Sequence, residues 1–223
     1  MIKVQFVREP AFDESGPRNE FFSLLHSEVS KSCMFVGEDN RKSFNYDILA
    51  LQRRSFYTYG QLCHVGILQG SASPCFLSPS IVDYILCSEI DLVKSTCISD
   101  IPNQKVKHKL QELEKMEDPD AFAKVASFGC SFRFKAGFSK PLVSFDEKDL
   151  LFRAVVLHYN LLSSLSEINQ FVEGLNVHGF IDYLRQYPPQ ARALFLYNEN
   201  RLMAEKLDKL FQPVFSSRGE TDV

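Results

Sequence analysis

The sequence predicts an α+β fold, predominantly helical, with small β-hairpins. Two observations carry this. Over most of the chain apolar residues recur at intervals of three to five, the period of helices packed on a core. Two short runs, Met34-Phe35-Val36 and Ser43-Phe44-Asn45-Tyr46, bracket the turn cluster Gly37-Glu38-Asp39-Asn40 as the arms of a hairpin do. The composition permits a proper core: 45% of the 223 residues are hydrophobic and 24% are charged, enough for one large domain or two small ones.

Taken in order, Val4 and Phe6 alternate with Lys3 and Gln5, as in a half-buried strand. Ser15-Gly16-Pro17 then supplies a helix start, with Gly16 or Ser15 as cap and Pro17 at the first helical position. Phe21, Phe22, Leu24, Leu25 and Val29 give that helix a wide apolar face. After the hairpin, Leu51, Phe56, Tyr59, Leu62, Cys63, Ile67 and Leu68 mark a helical stretch. Gly60 and Gly66 interrupt it, each weakening a helix by about 1 kcal/mol against alanine, which points to close packing with a neighbour. Ser78-Pro79 opens a helix carrying Ile81, Val82, Ile85 and Leu86, and residues 89–99 read as a connection. Asp100 and Pro102 are read as the cap of a charged surface helix reaching Met116, with a thin stripe of Val106, Leu110 and Leu113. Asp118-Pro119 begins another helix. In the irregular stretch 129–141, Phe132 and Phe134 alternate with Arg133 and Lys135 as in a short strand. From Asp146 to Gly174 runs the longest helical pattern, apolar on more than one face, with Gly174 at its end or at a break.

Composition excludes several classes. A net charge of −3 gives no electrostatic reason to expect nucleic acid or an anionic membrane. Twenty Phe and no Trp read as core filling. Cysteines at 33, 63, 75, 87, 97 and 130 show no C-x-x-C spacing. The N-terminus MIKVQFVREP lacks a secretory apolar segment, and runs such as Ala154 to Leu157 fall far short of a membrane span. The expectation is a reduced compartment, cytoplasmic and/or nuclear, with free thiols. Ile2 already belongs to the first predicted strand, so the sequence is expected to start inside or at the edge of a domain.

Three segments, in order, resemble the N-lobe of HECT-type ubiquitin-protein ligases. Val4, Phe6, Glu9, Asp13, Gly16, Glu20, Phe21 and Phe22 fall in register on the opening of that domain. Arg8, Ala11 and Ser15 stand where the family has glycine, and Asn19 where it has arginine. Tyr57-Thr58-Tyr59-Gly60-Gln61-Leu62, followed by Gly70, Pro74, Phe76, Leu77 and Ser78, is similar to the next N-lobe segment. Gln170-Phe171-Val172-Glu173-Gly174-Leu175 resembles a late segment of one vertebrate subgroup of the family, named for the cell-cycle phase before mitosis. Tyr187-Pro188, Leu202 through Leu210-Phe211 and Phe215 to Gly219 continue it. The likeness runs from Val4 to about Gly219 and is patchy between Glu89 and Pro141.

The resemblance implies a HECT N-lobe-like domain over 1–217, with 89–141 as the subdomain that binds a ubiquitin-conjugating enzyme and 218–223 as a tail. The implied partners are a ubiquitin-conjugating enzyme and ubiquitin; no cofactor and no metal is implied. Phe128, Phe132, Phe134 and Phe138 are the candidate docking residues, aromatic anchors if exposed and core if not. The family's catalytic cysteine lies in a C-lobe, and this sequence stops at Val223 before one, so no catalytic residue is assigned. The expected function is a ligase N-lobe that docks a conjugating enzyme but is not catalytically complete; the alternative is a non-catalytic scaffold or interaction protein, a truncated or pseudo-enzyme derived from a HECT domain. Arg8, Ala11 and Ser15 predict an opening turn less able to adopt positive φ than the family's own.

Other constellations read as structure. Thr96-Cys97 followed by Pro102 has the look of a catalytic-cysteine context, yet it falls mid-chain and reads as a connector thiol. Cys63, His64, Cys75 and Cys87 read as core packing rather than zinc ligands. His158, on an apolar helix, reads as a core or boundary histidine. Glu9, Asp13, Glu14 and Glu20 do not match a calcium loop, and Asp13 and Glu20 suit a helix N-terminus. No positioned-serine motif and no phosphate-cradling glycine loop occurs. The ending Glu220-Thr221-Asp222-Val223 has the form of a PDZ-domain ligand, through Thr221 and Val223.

Overall fold

Among the described residues the helical periods are realised as helices, mostly short, around one small hairpin. A computed structural model describes residues 3–7, 15–86 and 96–197. The first predicted strand does not form: residues 3–7 lie outside regular structure, although Val4 and Phe6 are the half-buried members of the run. Arg8 and Ala11 fall outside the described residues, as do Cys87, the Leu202–Phe211 and Phe215–Gly219 segments and the Thr221/Val223 tail.

Helix α1 (Gly16–Lys31) is capped by Ser15, whose backbone is left-handed at φ 89°. The position therefore keeps the conformation that favours glycine, carrying serine, and the side chain makes no capping hydrogen bond. The docked face is narrower than the apolar residues suggest. Arg18, Phe22 and His26, four apart, are buried, while Leu24 is exposed. Strands β1 (Phe35–Glu38) and β2 (Arg41–Phe44) pair antiparallel with Phe35 opposite Phe44 and Glu38 opposite Arg41. The turn is thus only Asp39-Asn40, and Gly37 and Glu38 belong to the first strand. Phe76 to Ser78 extends the hairpin through Lys42, whose N–H donates to the Phe76 carbonyl at 2.7 Å and whose carbonyl accepts from Ser78 at 2.8 Å.

The first core gathers α2 (Ile48–Gln52), α3 (Ser55–Leu68), α4 (Pro79–Leu86), α9 (Leu165–Leu175), α10 (Phe180–Leu184) and α11 (Pro188–Phe195) around the hairpin. Its centre is aromatic: Phe35, Phe44, Tyr59, Phe76 and Phe171 stack with centroids 4.9 to 5.8 Å apart. Helices α3 and α9 cross at Gly60 and Gly174. A Cβ on Gly60 would lie 2.3 Å from the Phe171 carbonyl oxygen, and one on Gly174 would lie 2.0 Å from that of Tyr57. Gly174 lies at the end of α9, one residue before its last, and is also a contact residue. Around it Gln170 donates to the Leu51 carbonyl at 2.9 Å, and Glu173 pairs with Arg54 at 2.7 Å. Two of the three segments that resemble the ligase family are thus the two sides of one helix crossing.

The second core draws on residues from Ile98 to Tyr159: α5 (Gln104–Glu114), α6 (Pro119–Phe128), α7 (Phe132–Lys135) and α8 (Lys148–Asn160). The long pattern from Asp146 to Gly174 is two helices, α8 and α9, separated by Leu161 and a short 3-10 turn at 162–164. Its apolar residues cover several faces because α8 packs in the second core and α9 in the first.

The chain crosses between the cores near residues 97–101 and 160–164, and both crossings are tied. Asp100 does not cap α5, whose cap is Asn103. It is buried and accepts from the backbone N–H of Ser80 at 3.1 Å and its hydroxyl at 2.6 Å, at the start of α4. It also accepts from Arg41 of β2, whose Nε lies at 3.0 Å. At the second crossing the Asn160 amide donates to the Cys97 carbonyl at 2.9 Å. Lys107 of α5 reaches Glu38 of β1 at 2.8 Å, which lowers the pKa of that carboxyl.

Candidate functional site

The second core builds a shallow groove between the end of α6 and the loop before α8. Its cavity, about 500 Å³, is lined by Phe128, Leu142, Val143, Lys124, Lys140 and Glu147, among others. Asp118 starts α6 by accepting the Asp120 N–H at 3.0 Å, and Phe122 and Ala126 bury the helix. Phe128 ends it, 79% exposed, and Leu142, on the loop, lines the same cavity, 68% exposed. Two large apolar side chains are thus left in water beside one cavity. Lys140 pairs with Glu147, and the bond lowers the pKa of the Glu147 carboxyl. Glu147 also accepts the Ser144 N–H at 3.2 Å, closing a capping box ahead of α8.

The predicted docking residues divide. Phe128 lies at the groove. Phe134 is exposed on α7, and its ring lies under the Arg133 guanidinium at 4.1 Å. Phe132 is partly buried against the second core, and Phe138 is buried within it. The Phe132–Phe134 alternation is a turn of helix, not a strand, and it is inverted: Arg133 is the buried residue. Its guanidinium donates to the carbonyls of Ser127 at 3.1 Å, Phe138 at 3.3 Å and Pro141 at 3.1 Å, and to that of Lys140. Four carbonyl dipoles inside the core are what make a buried cation tolerable, and they outweigh the apolar preference of the site. Leu142, Lys124 and Arg133 were not marked by the sequence. Leu142-Val143 is an apolar pair in a loop, and only packing decides which member is buried.

The other candidate groups occupy structural positions. Cys97 is exposed, with its thiol 2.8 Å from the Ser99 hydroxyl, in a separate groove lined also by Phe152 and Arg153. Cys63 is fully buried, and burial pushes its thiol pKa up. His64 packs edge-on against Phe180 at 4.8 Å, and burial lowers its pKa. His158 is half-buried beside Tyr159, its pKa likewise lowered by burial. Among the described residues no group of three or more His, Cys, Asp or Glu is placed to hold a metal, and no helix is long and apolar enough to cross a membrane. His26 Nε2 donates to the Ala72 carbonyl at 3.0 Å, so its Nδ1 accepts from the Tyr59 hydroxyl at 2.9 Å. Burial lowers the His26 pKa to about 4.

What the described residues define is a mostly helical platform with an inserted lobe that presents an apolar groove. No protein-family model matches the chain. Three curated proteins, each named G2/M phase-specific E3 ubiquitin-protein ligase, are similar to it. The chicken protein (Gallus gallus) is 23% identical over 197 residues, covering 88% of this chain and 26% of the relative. Those of Macaca fascicularis and Homo sapiens are each 18% identical over 199 residues, covering 89% of this chain and 28% of the relative. The chain thus spans about a quarter of the length of these relatives. The similarity relates it distantly to E3 ubiquitin-protein ligases.

Proposed function

We propose that this chain is a HECT N-lobe-like platform that docks a ubiquitin-conjugating enzyme through the Phe128–Leu142 groove. The observation that carries the reading is the pair of exposed apolar side chains that line one cavity on the inserted lobe. Truncating large apolar residues central to such a surface commonly costs more than 1 kcal/mol of binding. Support also comes from the segments around Gly60 and Gly174, which resemble the ligase family and pack on each other, and from the distant ligase relatives. The chain contributes binding and orientation in this reading, and no residue of it is given the transfer chemistry.

The test is a titration of the purified chain with a panel of ubiquitin-conjugating enzymes. A member of the panel is expected to bind in the micromolar range, and the double variant F128A/L142A to weaken it at least tenfold while unfolding at the wild-type midpoint. Absence of binding across the panel at high micromolar concentration overturns the reading. A second arm offers the chain a ubiquitin-charged conjugating enzyme; a reducible adduct that disappears in C97A would assign transfer chemistry to Cys97 instead.

A further inference from the structure

The walls of the groove belong to different segments, and one side chain joins them. Ser127 directly precedes Phe128, and Pro141 directly precedes Leu142. Arg133 Nη2 donates to the carbonyls of both, each at 3.1 Å, while Nη1 holds the Phe138 and Lys140 carbonyls of the intervening loop. The Ser127 hydroxyl adds a bond in the same direction, accepting the Val143 N–H at 2.9 Å. Ser127 lies in the last turn of α6, where the helix dipole favours a cation.

We infer that Arg133 is the positioning residue of the groove: its guanidinium fixes the distance between Phe128 and Leu142. This deepens the docking reading and rests on it for the nature of the partner. Stability alone is poor grounds for such a residue. Burying a cation whose hydrogen bonds go to neutral carbonyls is costly, and an apolar side chain of similar volume commonly serves a core as well. What the guanidinium supplies is a rigid planar fork able to span several carbonyls at once. A lysine keeps the charge but has a compact head with three donors, which cannot bridge both walls and the loop. Pre-setting the walls removes an ordering cost from each binding event.

The experiment compares R133K with V156A. Val156 is buried in the same core but on α8, away from this groove, and V156A serves as the control for a general loss of stability. Two readouts are taken, amide hydrogen exchange at Phe138 and Val143 and affinity for the conjugating enzyme. R133K is expected to speed exchange at both amides at least tenfold, leave the amides of α3 and α9 unchanged, and weaken binding at least tenfold. V156A should leave affinity near wild type and speed exchange at Phe138 and Val143 no more than at the other amides of the second core. Because a lysine could leave the lobe unfolded, R133A is measured with millimolar guanidinium, expected to restore slow exchange and binding where methylammonium does not. Wild-type exchange at Phe138 and Val143 in R133K, or equal effects of R133K and V156A, overturns the inference. A wild-type chain that binds no conjugating enzyme overturns the docking reading, while exchange still decides the role of Arg133.

Discussion

Replacing Gly174 by alanine adds one methyl group at the tightest point of the molecule. On the present backbone that carbon would lie 2.0 Å from the Tyr57 carbonyl oxygen, 2.8 Å from its carbon and 3.0 Å from its Cα. All three atoms belong to the backbone of α3, so no side chain can swing away. Carbon contacts are most favourable at about 3.5–4.0 Å, so α3 and α9 must separate by roughly 1 Å or more, and a gap of that size forfeits a quarter to a half of the dispersion energy of the facing atoms. Overpacking of this kind costs about 1–3 kcal/mol and at a backbone–backbone contact the upper end applies. Alanine returns about 1 kcal/mol in helix propensity. The expected net loss is about 2 kcal/mol or more, a large fraction of the stability of an ordinary domain. Urea denaturation measures it, as a lower midpoint at unchanged slope. Gly16, with nothing within 4 Å of an added Cβ, is the control: G16A should be neutral or stabilising. G60A should resemble G174A, and the two losses should not add, because they open the same contact. A G174A protein that unfolds at the wild-type midpoint would refute the close-crossing account.

Ser15 holds φ at 89°, a conformation that favours glycine, so S15G should raise stability by about 1 kcal/mol, read as an increase in thermal midpoint; a decrease would mean the serine side chain contributes more than its strain. Removing the Asp100 carboxylate leaves the buried Ser80 donors without their acceptor, whereas Arg41, with 40% of its side chain exposed, can return to water. D100A should therefore cost about 2–4 kcal/mol by denaturant titration, and R41A, which leaves the buried Asp100 carboxylate without its cation, a comparable amount; a D100A protein with the wild-type midpoint would rule out Asp100 as the joint between the cores. His26 takes up a proton more readily when unfolded, since burial lowers its folded pKa from 6.5 to about 4. Its contribution is intact above about pH 6.5 and is lost as the pH falls toward 4, by up to about 3 kcal/mol. The difference in stability between pH 7.5 and pH 4.5 should be smaller in H26Q than in wild type, and equal differences would exclude His26 as a source of acid sensitivity.

Local chemistry was enough for part of this protein. Ile81, Val82, Ile85 and Leu86 share one face of a short helix because helical period and apolar spacing coincide, and all four are buried. Asp118-Pro119 starts α6 because a carboxylate can accept a free backbone N–H and proline lacks the donor it would waste. The penalty glycine pays in a helix marked Gly60 as a contact position, and the crossing with α9 is the return on it. Tertiary structure decided the rest. The broad apolar coverage from Asp146 to Gly174 could not show two helices, because periodicity records that a residue is buried but not in which core. Val4 and Phe6 alternate, yet a strand needs a partner and alternation does not supply one. Asp100 looked like a local cap, and it caps a helix twenty residues earlier. The groove is the clearest case. Phe128 and Phe138 are the same residue type in the same segment, and one is exposed while the other is buried. Which is which goes with a loop held by the Arg133 guanidinium, through hydrogen bonds to carbonyls five to eight residues away that leave no period in the chain. Sequence fixes what each residue can do; at the groove, only the folded neighbours determine which of them meets water.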